Sequence, residues 1–421
     1  MPVRLDQIPA PAQRPALPRA WLWFGLLVLG LLLGTVLTLW LGDETLTREP
    51  GRFWLYALGI PLLAWCGLGV IRAFVFLSYE GYAVGWDERR EEVWLREIRR
   101  GRRSQQVLGV SLYTALYDER ARDAQAPQVE ALRGGNSALQ VQQAWQGKAP
   151  VRHSRLPAGD EKQPEKLLLQ LLTQVLADLA QALAPLPADR PLALLLEMDS
   201  GLSDDQVVQA WEQAWAESGI RQPLTLTTGA GLAAVDQWLD QRIHDQALLM
   251  VVAFQLAPEQ VEGSAEAAVG LLFGNRLTQT TLDPLAYLYR PEQERAASTE
   301  DLDYATRQAL SWAQAEAGSI AGVWLAGIDH KRQADLSTVL HRLAMPVQPG
   351  RGHYNLDWSL GHAGPATPWL AIAKAIQANG RPQFVFSGEG SAKDGLWCTA
   401  IRPVAAKDLT QDLMPDSIAD R

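Results

Sequence analysis

Two long apolar runs without a single charge stand near the N-terminus, Trp21 to Leu41 and Phe53 to Ile71, and no run of comparable length follows. About 20 apolar residues in a helix span the hydrocarbon core of a bilayer, so each run predicts a membrane-spanning helix. Tryptophans near both ends of the first run, Trp21 and Trp40, suit the membrane–water interface. A cleaved signal peptide has a shorter apolar region and a small-residue cleavage site, and the first run has neither. Cations sit on the two outer flanks: Arg4, Arg14 and Arg19 before the first run, and Arg72, Arg89 and Arg90 with a denser cluster after the second. The intervening loop, Gly42 to Arg52, sets Asp43, Glu44 and Glu49 against Arg48 and Arg52. By the positive-inside bias this predicts a hairpin with both chain ends in the cytoplasm and the large C-terminal body tethered to the inner face of the membrane.

Beyond the hairpin the pattern changes to mixed charge and then to alternating strand-like and helix-like stretches. Residues 78–105 predict a charged juxtamembrane helix, with Glu92 four residues before Arg96. Its arginines, Arg96, Arg99, Arg100, Arg102 and Arg103, are either a solvated helix face or a contact with anionic lipid head groups. Residues 106–403 predict one α/β body. Gln106 to Tyr113 reads as a strand, Val141 to Gly147 as the end of a short helix, and Gly147 to Lys166 as a loop. Leu167 to Leu183 reads as an amphipathic helix, and Leu192 to Met198 as a strand apolar on both faces. Ser203 and Gln206 form a capping box that opens a helix whose stripe, Val207, Val208, Trp211 and Trp215, predicts core packing. Strands at Leu248 to Phe254, Ala268 to Phe273 and Gly322 to Gly327 follow, with helices at Asp301 to Ala317 and Leu336 to Leu343. Residues 404–421 predict a mobile acidic tail. An apolar strand, a turn opening on aspartate (Asp199, then Asp329) and a helix occur twice, which points to two halves of like architecture.

Composition narrows the function classes. A net charge of -9 gives no general drive toward nucleic acid. The two cysteines, Cys66 in the second apolar run and Cys398 near the C-terminus, exclude a disulfide framework. No CxxC, HExxH or clustered Cys/His spacing supports a metal site, and no cofactor motif is present. Sixteen tryptophans are a high count, explained by the membrane runs and by amphipathic stretches that feed a core.

Four stretches resemble the thiolase-fold condensing enzymes, the ketoacyl synthases. TTGAGLAAVDQWLDQ from Thr227 is similar to their nucleophile turn, and MVVAFQLAP with EGSAEAAVGLLF to the hairpin after it. NLDWSLGHAGPATPWLAIAKAI from Asn355 resembles the late Gly-His segment, and FVFSGEGSAKDGLWCTAIRP from Phe384 the closing hairpin. The resemblance implies a duplicated α/β/α/β/α domain. It does not carry the chemistry over. A condensing enzyme needs a cysteine thiolate at a helix N-terminus, and the match puts Gly229 at that position. The family lysine matches Asp357, and the first histidine position is missed by two or three places at His330. Only His362 stands where a catalytic histidine would.

Other chemistry weighs little. Ser359, His362 and Asp357 are close in sequence, but a hydrolytic triad converges from separate parts of a fold, and no GxSxG elbow is present. Asp199 with Asp204 and Asp205 offers carboxylates, although Asp204 and Asp205 suit the first turn of a helix. Gly388 to Gly390 lacks the GxxxxGK[ST] of a phosphate loop. The expectation is therefore a membrane-anchored pseudoenzyme acting as adaptor or chaperone. A weaker resemblance to lipase-adaptor accessory proteins of type VI secretion implies effector loading, with a secreted effector or secretion-machinery protein and membrane lipids as partners. A homodimer is allowed by the family resemblance. The alternative is an acyl or acyl-carrier binding protein, or a hydrolase using His362.

Overall fold

The computed structural model describes residues 3–17, 19–41, 49–117, 126–133, 137–145, 149–157, 163–349, 352–378, 380–388 and 395–404. Most of the loop between the apolar runs, Gly390 and all but the first residue of the acidic tail lie outside them. The chain divides into two units, Arg4–Ile98 and, apart from three N-terminal residues, Arg99–Arg421.

The first unit is an antiparallel pair of helices, α1 (Ala20–Leu41) and α2 (Pro50–Gly101), each long and apolar enough to cross a membrane. The juxtamembrane segment is not a separate helix: α2 runs unbroken from the second apolar run to Gly101, apart from one wider turn at Leu55–Gly59. There Gly34 allows the close crossing, because a Cβ on it would stand 2.6 Å from the Ala57 carbonyl oxygen. Trp65 Nε1–H donates to the Trp23 carbonyl at 2.9 Å. The N-terminal Pro-rich segment lies along α2: Arg90 Nε–H donates to the Pro9 carbonyl at 2.7 Å, and the Ala12 N–H to Asp87 at 2.9 Å. Both outer ends of the hairpin are thus at the same end of the helix pair.

The second unit contains a sheet of 12 strands. Its first half comprises β1 (Ser104–Thr114), an outlying helix α3 (Ala126–Arg133), and a separate two-stranded ribbon of β2 (Gln140–Gln143) and β3 (Pro150–His153). Then come α4 (Pro164–Leu183), β4 (Leu192–Ser200), α5 (Asp204–Glu217), β5 (Leu224–Leu226), α6 (Gly231–Gln241), β6 (Leu248–Leu256) and β7 (Ala267–Asn275). The second half holds β8 (Ala286–Tyr289), β9 (Glu292–Gln293), α7 (Thr299–Trp312), β10 (Gly322–Ala326), α8 (His330–Arg342) and β11 (Gln348–Pro349). It closes with β12 (Gly352–Asn355), α9 (Leu356–Ser359), α10 (Thr367–Gln377), β13 (Gln383–Ser387) and β14 (Trp397–Pro403).

Duplication is written in the strand order. The first half runs β5-β4-β6-β7-β1 across the sheet, and the second β12-β10-β13-β14-β8, with β11 outside β12. Counting main strands within each half, both orders are third, second, fourth, fifth, first. The fifth strand is antiparallel to its neighbours in each half, and the two first strands pair antiparallel at the junction.

Alternating side chains explain the layers. Leu192 and Leu194 of β4 face α4 and α5, whereas Ala193 and Leu195 face the buried helices α6 and α10. In the other half, Val323 and Leu325 face α7 and α8, while Trp324 and Ala326 turn to the same central pair. Strands apolar on both faces fit only between two helix layers, and the result is five layers, α/β/α/β/α.

Three local expectations fail. Residues 141–147 begin in strand β2, not the end of a helix, and the predicted loop from Gly147 contains β3. Helix α7 stops at Trp312, five residues before the predicted end, where Gln314 adopts φ +50°. Val208 faces solvent while Val207 is buried, so the predicted stripe on α5 is narrower than the pattern suggests.

Candidate functional site

Two cavities meet at His362. The first, about 460 Å³, is mostly apolar and opens where β4 ends and α6 begins; Glu197, Met198, Gly231, Pro368 and Trp397 line it with His362. The second, about 740 Å³, is more polar and brings together His330, Asp357, His362, Arg152 and Trp358. Open α/β sheets bind ligands beyond the carboxyl ends of their strands, and both cavities lie there.

His362 is placed by its backbone. Its N–H donates to the Gly263 carbonyl at 2.9 Å, and its carbonyl accepts from the Ala265 N–H at 2.8 Å and from Gln255 Nε2 at 2.9 Å. Gly361, at φ +100°, makes the turn, since a Cβ there would lie 2.6 Å from the Ser264 carbonyl oxygen. So the Gly-His pair is fixed by a loop from the other half of the fold.

The start of α6 carries no nucleophile. Gly229, at φ +136°, does not line the first cavity, and a Cβ on it would stand 2.8 Å from the Ala234 Cβ. A cysteine would not fit there without displacing backbone. The positions that face the cavity are Ala230 and Gly231. The Gly231 N–H, which would otherwise point at a ligand, donates to Glu197 Oε1 at 2.5 Å. Glu197 Oε2 accepts from Trp369 Nε1–H at 2.9 Å. A carboxylate of the protein itself thus occupies the helix start, where aligned amides favour negative charge.

Asp357, at the family lysine position, is a structural group. Its two oxygens accept the Gly327 and Ile328 N–H groups at 2.9 and 3.1 Å, pinning the turn into α8. Burial pushes its carboxyl up, while those two bonds and the nearby His362 and His330 pull it back. Asp199 is raised by burial and by Glu259, with His362 acting in the opposite sense. Ser359 Oγ–H donates to the Asn355 carbonyl at 3.4 Å and lines neither cavity, so no triad forms with His362. Asp204 and Asp205 sit in the first turn of α5 beside the Ser203–Gln206 capping box. Among the described residues no group of three or more His, Cys, Asp or Glu is placed to hold a metal.

The arginine cluster is divided in its roles. Arg100 forms a two-pronged ion pair with Asp240 on α6, and Arg103 donates to the Leu239 carbonyl at 2.9 Å. Arg290, fully buried, donates to Asp236 at 2.7 Å and to the Arg100 carbonyl at 3.0 Å, and lies 2.7 Å from Asp240. Burial alone would raise Asp240; Arg100 and Arg290 outweigh it and hold the carboxyl well below the usual range.

Sequence reasoning missed Glu197, Trp369 and Lys374. A signal existed for two of them: one glutamate inside LALLLEM, and one lysine inside WLAIAKAI. Lys374 is wholly buried on α10, its Nζ has no hydrogen-bond partner among the described residues, and burial pushes its amine down to about 7.

No protein-family model and no curated protein matches the chain. Among solved structures, it is similar to the ishigamide ketosynthase/chain length factor, at 14% identity over 72% of this chain and 100% of that one, TM-score 0.48. It is also similar to the peroxisomal 3-ketoacyl-CoA thiolase of Saccharomyces cerevisiae, at 11% identity over 71% and 98%, TM-score 0.44. A third is the 3-oxoacyl-(acyl-carrier-protein) synthase III from Aquifex aeolicus, at 10% identity over 71% and 99%, TM-score 0.40. The yeast thiolase is described as five-layered, built from two core domains of identical topology. This chain's own layers and duplicated strand order are those of its sheet and helices. At such identities the likeness says nothing of chemistry.

Proposed function

We infer that the chain is a membrane-anchored, non-catalytic binding protein, whose thiolase-like body is kept for its cavity and not for group transfer. One observation carries this reading: Glu197 takes the Gly231 amide at the helix start, and the residues beside it, Ala230 and Gly231, have no nucleophilic atom. The first cavity is walled by Met198, Leu232, Pro365, Pro368 and Trp397, which suits an apolar chain. The ligand class on this reading is an acyl chain, free or attached to a carrier.

A second reading, an adaptor that docks a secreted effector or a component of secretion machinery, is favoured by Trp358. This side chain is 55% exposed at the rim of the second cavity, and exposed aromatics of this kind anchor protein interfaces. One experiment separates the two. The full chain in detergent is titrated with a fluorescent long-chain fatty acid, alongside Met198→Trp, which narrows the first cavity, and Trp358→Ala. Ligand binding in the first cavity requires Met198→Trp to weaken the probe at least tenfold, with Trp358→Ala unchanged. Unaltered affinity in Met198→Trp contradicts the reading.

A further inference from the structure

Arg72, whose long side chain can reach the head groups, interrupts the apolar part of α2, which resumes at Ala73 and ends at Leu77; beyond it the helix exposes Tyr79 and Tyr82, at 63% and 67%. At 1.5 Å of rise per residue, Tyr79 stands about 3 Å and Tyr82 about 8 Å beyond Leu77, whereas Arg96 stands about 28 Å beyond it. The head-group region outside each face of the hydrocarbon core is only about 5–8 Å thick. A helix crossing at an ordinary tilt therefore puts the two tyrosines among head groups and Arg96 in water, past a Debye length of about 8–10 Å.

The N-terminal segment adds to the same level. Arg14 is within 3.6 Å of Glu80 and 3.8 Å of Asp87, and the Trp86 indole N–H donates to the Ala10 carbonyl at 3.2 Å. Its packing leaves Ala83 only 2% exposed on an otherwise open helix. Arg14 is engaged there by two carboxylates, and the exposed aromatic rings remain for contact. Tyrosine, with an apolar ring and a hydroxyl, suits a layer that is greasy on one side and wet on the other.

We propose that Tyr79, Tyr82 and the segment around Ala10 to Arg14 form a collar that contacts the phosphate and ester groups of phospholipids. The collar sets the depth of the hairpin without requiring anionic lipid. The proposal goes beyond the binding role of the body and rests on α1 and α2 crossing a bilayer.

The test uses the full chain, with Cys66→Ala and Cys398→Ala, in vesicles of phosphatidylcholine alone and of phosphatidylcholine with phosphatidylglycerol. Single cysteines at Leu68→Cys, Gly81→Cys and Arg96→Cys carry a nitroxide, and depth is read from collisions with oxygen and with a water-soluble nickel chelate. A Cβ at Gly81 meets nothing within 4 Å, so the label leaves both tyrosines in place. The expected result is Leu68→Cys deep, Gly81→Cys at the phosphate level and Arg96→Cys indistinguishable from a water-exposed site, in both lipids. Gly81→Cys in bulk water with Leu68→Cys deep overturns the collar. So does Arg96→Cys at the phosphate level in either lipid. Leu68→Cys in water overturns the membrane crossing itself and the collar with it.

Discussion

Replacing Lys374 with methionine is expected to stabilise the body by roughly 3–5 kcal/mol at pH 7 and below, by the linkage between a shifted pKa and folding. The amine is wholly buried without a hydrogen-bond partner among the described residues, and burial lowers it to about 7. Among the described residues, burial is the cause of the shift. The unfolded chain holds the proton up to its ordinary value near ~10.4, so between those two values the unfolded state binds more protons. The penalty is therefore full below the folded value of about 7, and stability rises with pH from there until both states are neutral. Methionine has similar length and no charge. Unfolding by denaturant at a series of pH values, followed by tryptophan fluorescence in detergent, measures the gap between variant and parent. The gap should be widest below pH ~7 and shrink steadily to pH ~10. A pH-independent gap, or a destabilised variant, would show that Lys374 finds a partner in the folded protein.

The opposite change is expected at Arg290. Its guanidinium, without solvent exposure, joins Asp236 and Asp240 of α6 to the carbonyl of Arg100. Arg290→Met leaves two partly buried carboxylates facing each other, a loss of about 3–5 kcal/mol for a broken buried pair. Arg307→Met, which removes an exposed pair with Asp303, should cost under ~1 kcal/mol. Asp240 also gives the pair a pH signature. Its carboxyl is depressed in the folded protein, so the stability it contributes is present above the ordinary carboxylate value and is lost as pH falls below ~4. Arg290→Met should shrink that acid-dependent part, leaving the share that Arg100 supplies. Adding Asp236→Asn to it should recover part of the loss, because one carboxylate that faced Arg290 is removed while Asp240 keeps Arg100.

The frame of the molecule was legible because it rests on burial. Strands such as 192–195 and 323–326 are apolar on both faces, and their repetition before an aspartate turn exposed the duplication. The ribbon of β2 and β3 was not legible. Its four-residue strands are largely exposed, so no core face imposes alternation, and QVQQ carries as little helical as strand signal. The pairing of His330, Asp357 and His362 around one cavity was visible only through resemblance, since the three come from two turns of different elements. Glu197 was hidden in plain sight: an apolar strand says that its residues are buried, but not that one carboxylate reaches a helix start. Charge density alone could not tell that Arg100 meets Asp240, 140 positions away, while Arg96 does not share that contact.

The helix start occupied by Glu197 is the point on which a non-catalytic reading stands. The direct measurement is the intact mass of the denatured full chain after prolonged incubation with a long-chain acyl thioester at neutral pH. The expected result is an unmodified chain, with intact thioester recovered beside it. An acyl adduct on His362, Ser387 or any other cavity residue, or turnover of the thioester lost in His362→Ala, would contradict it.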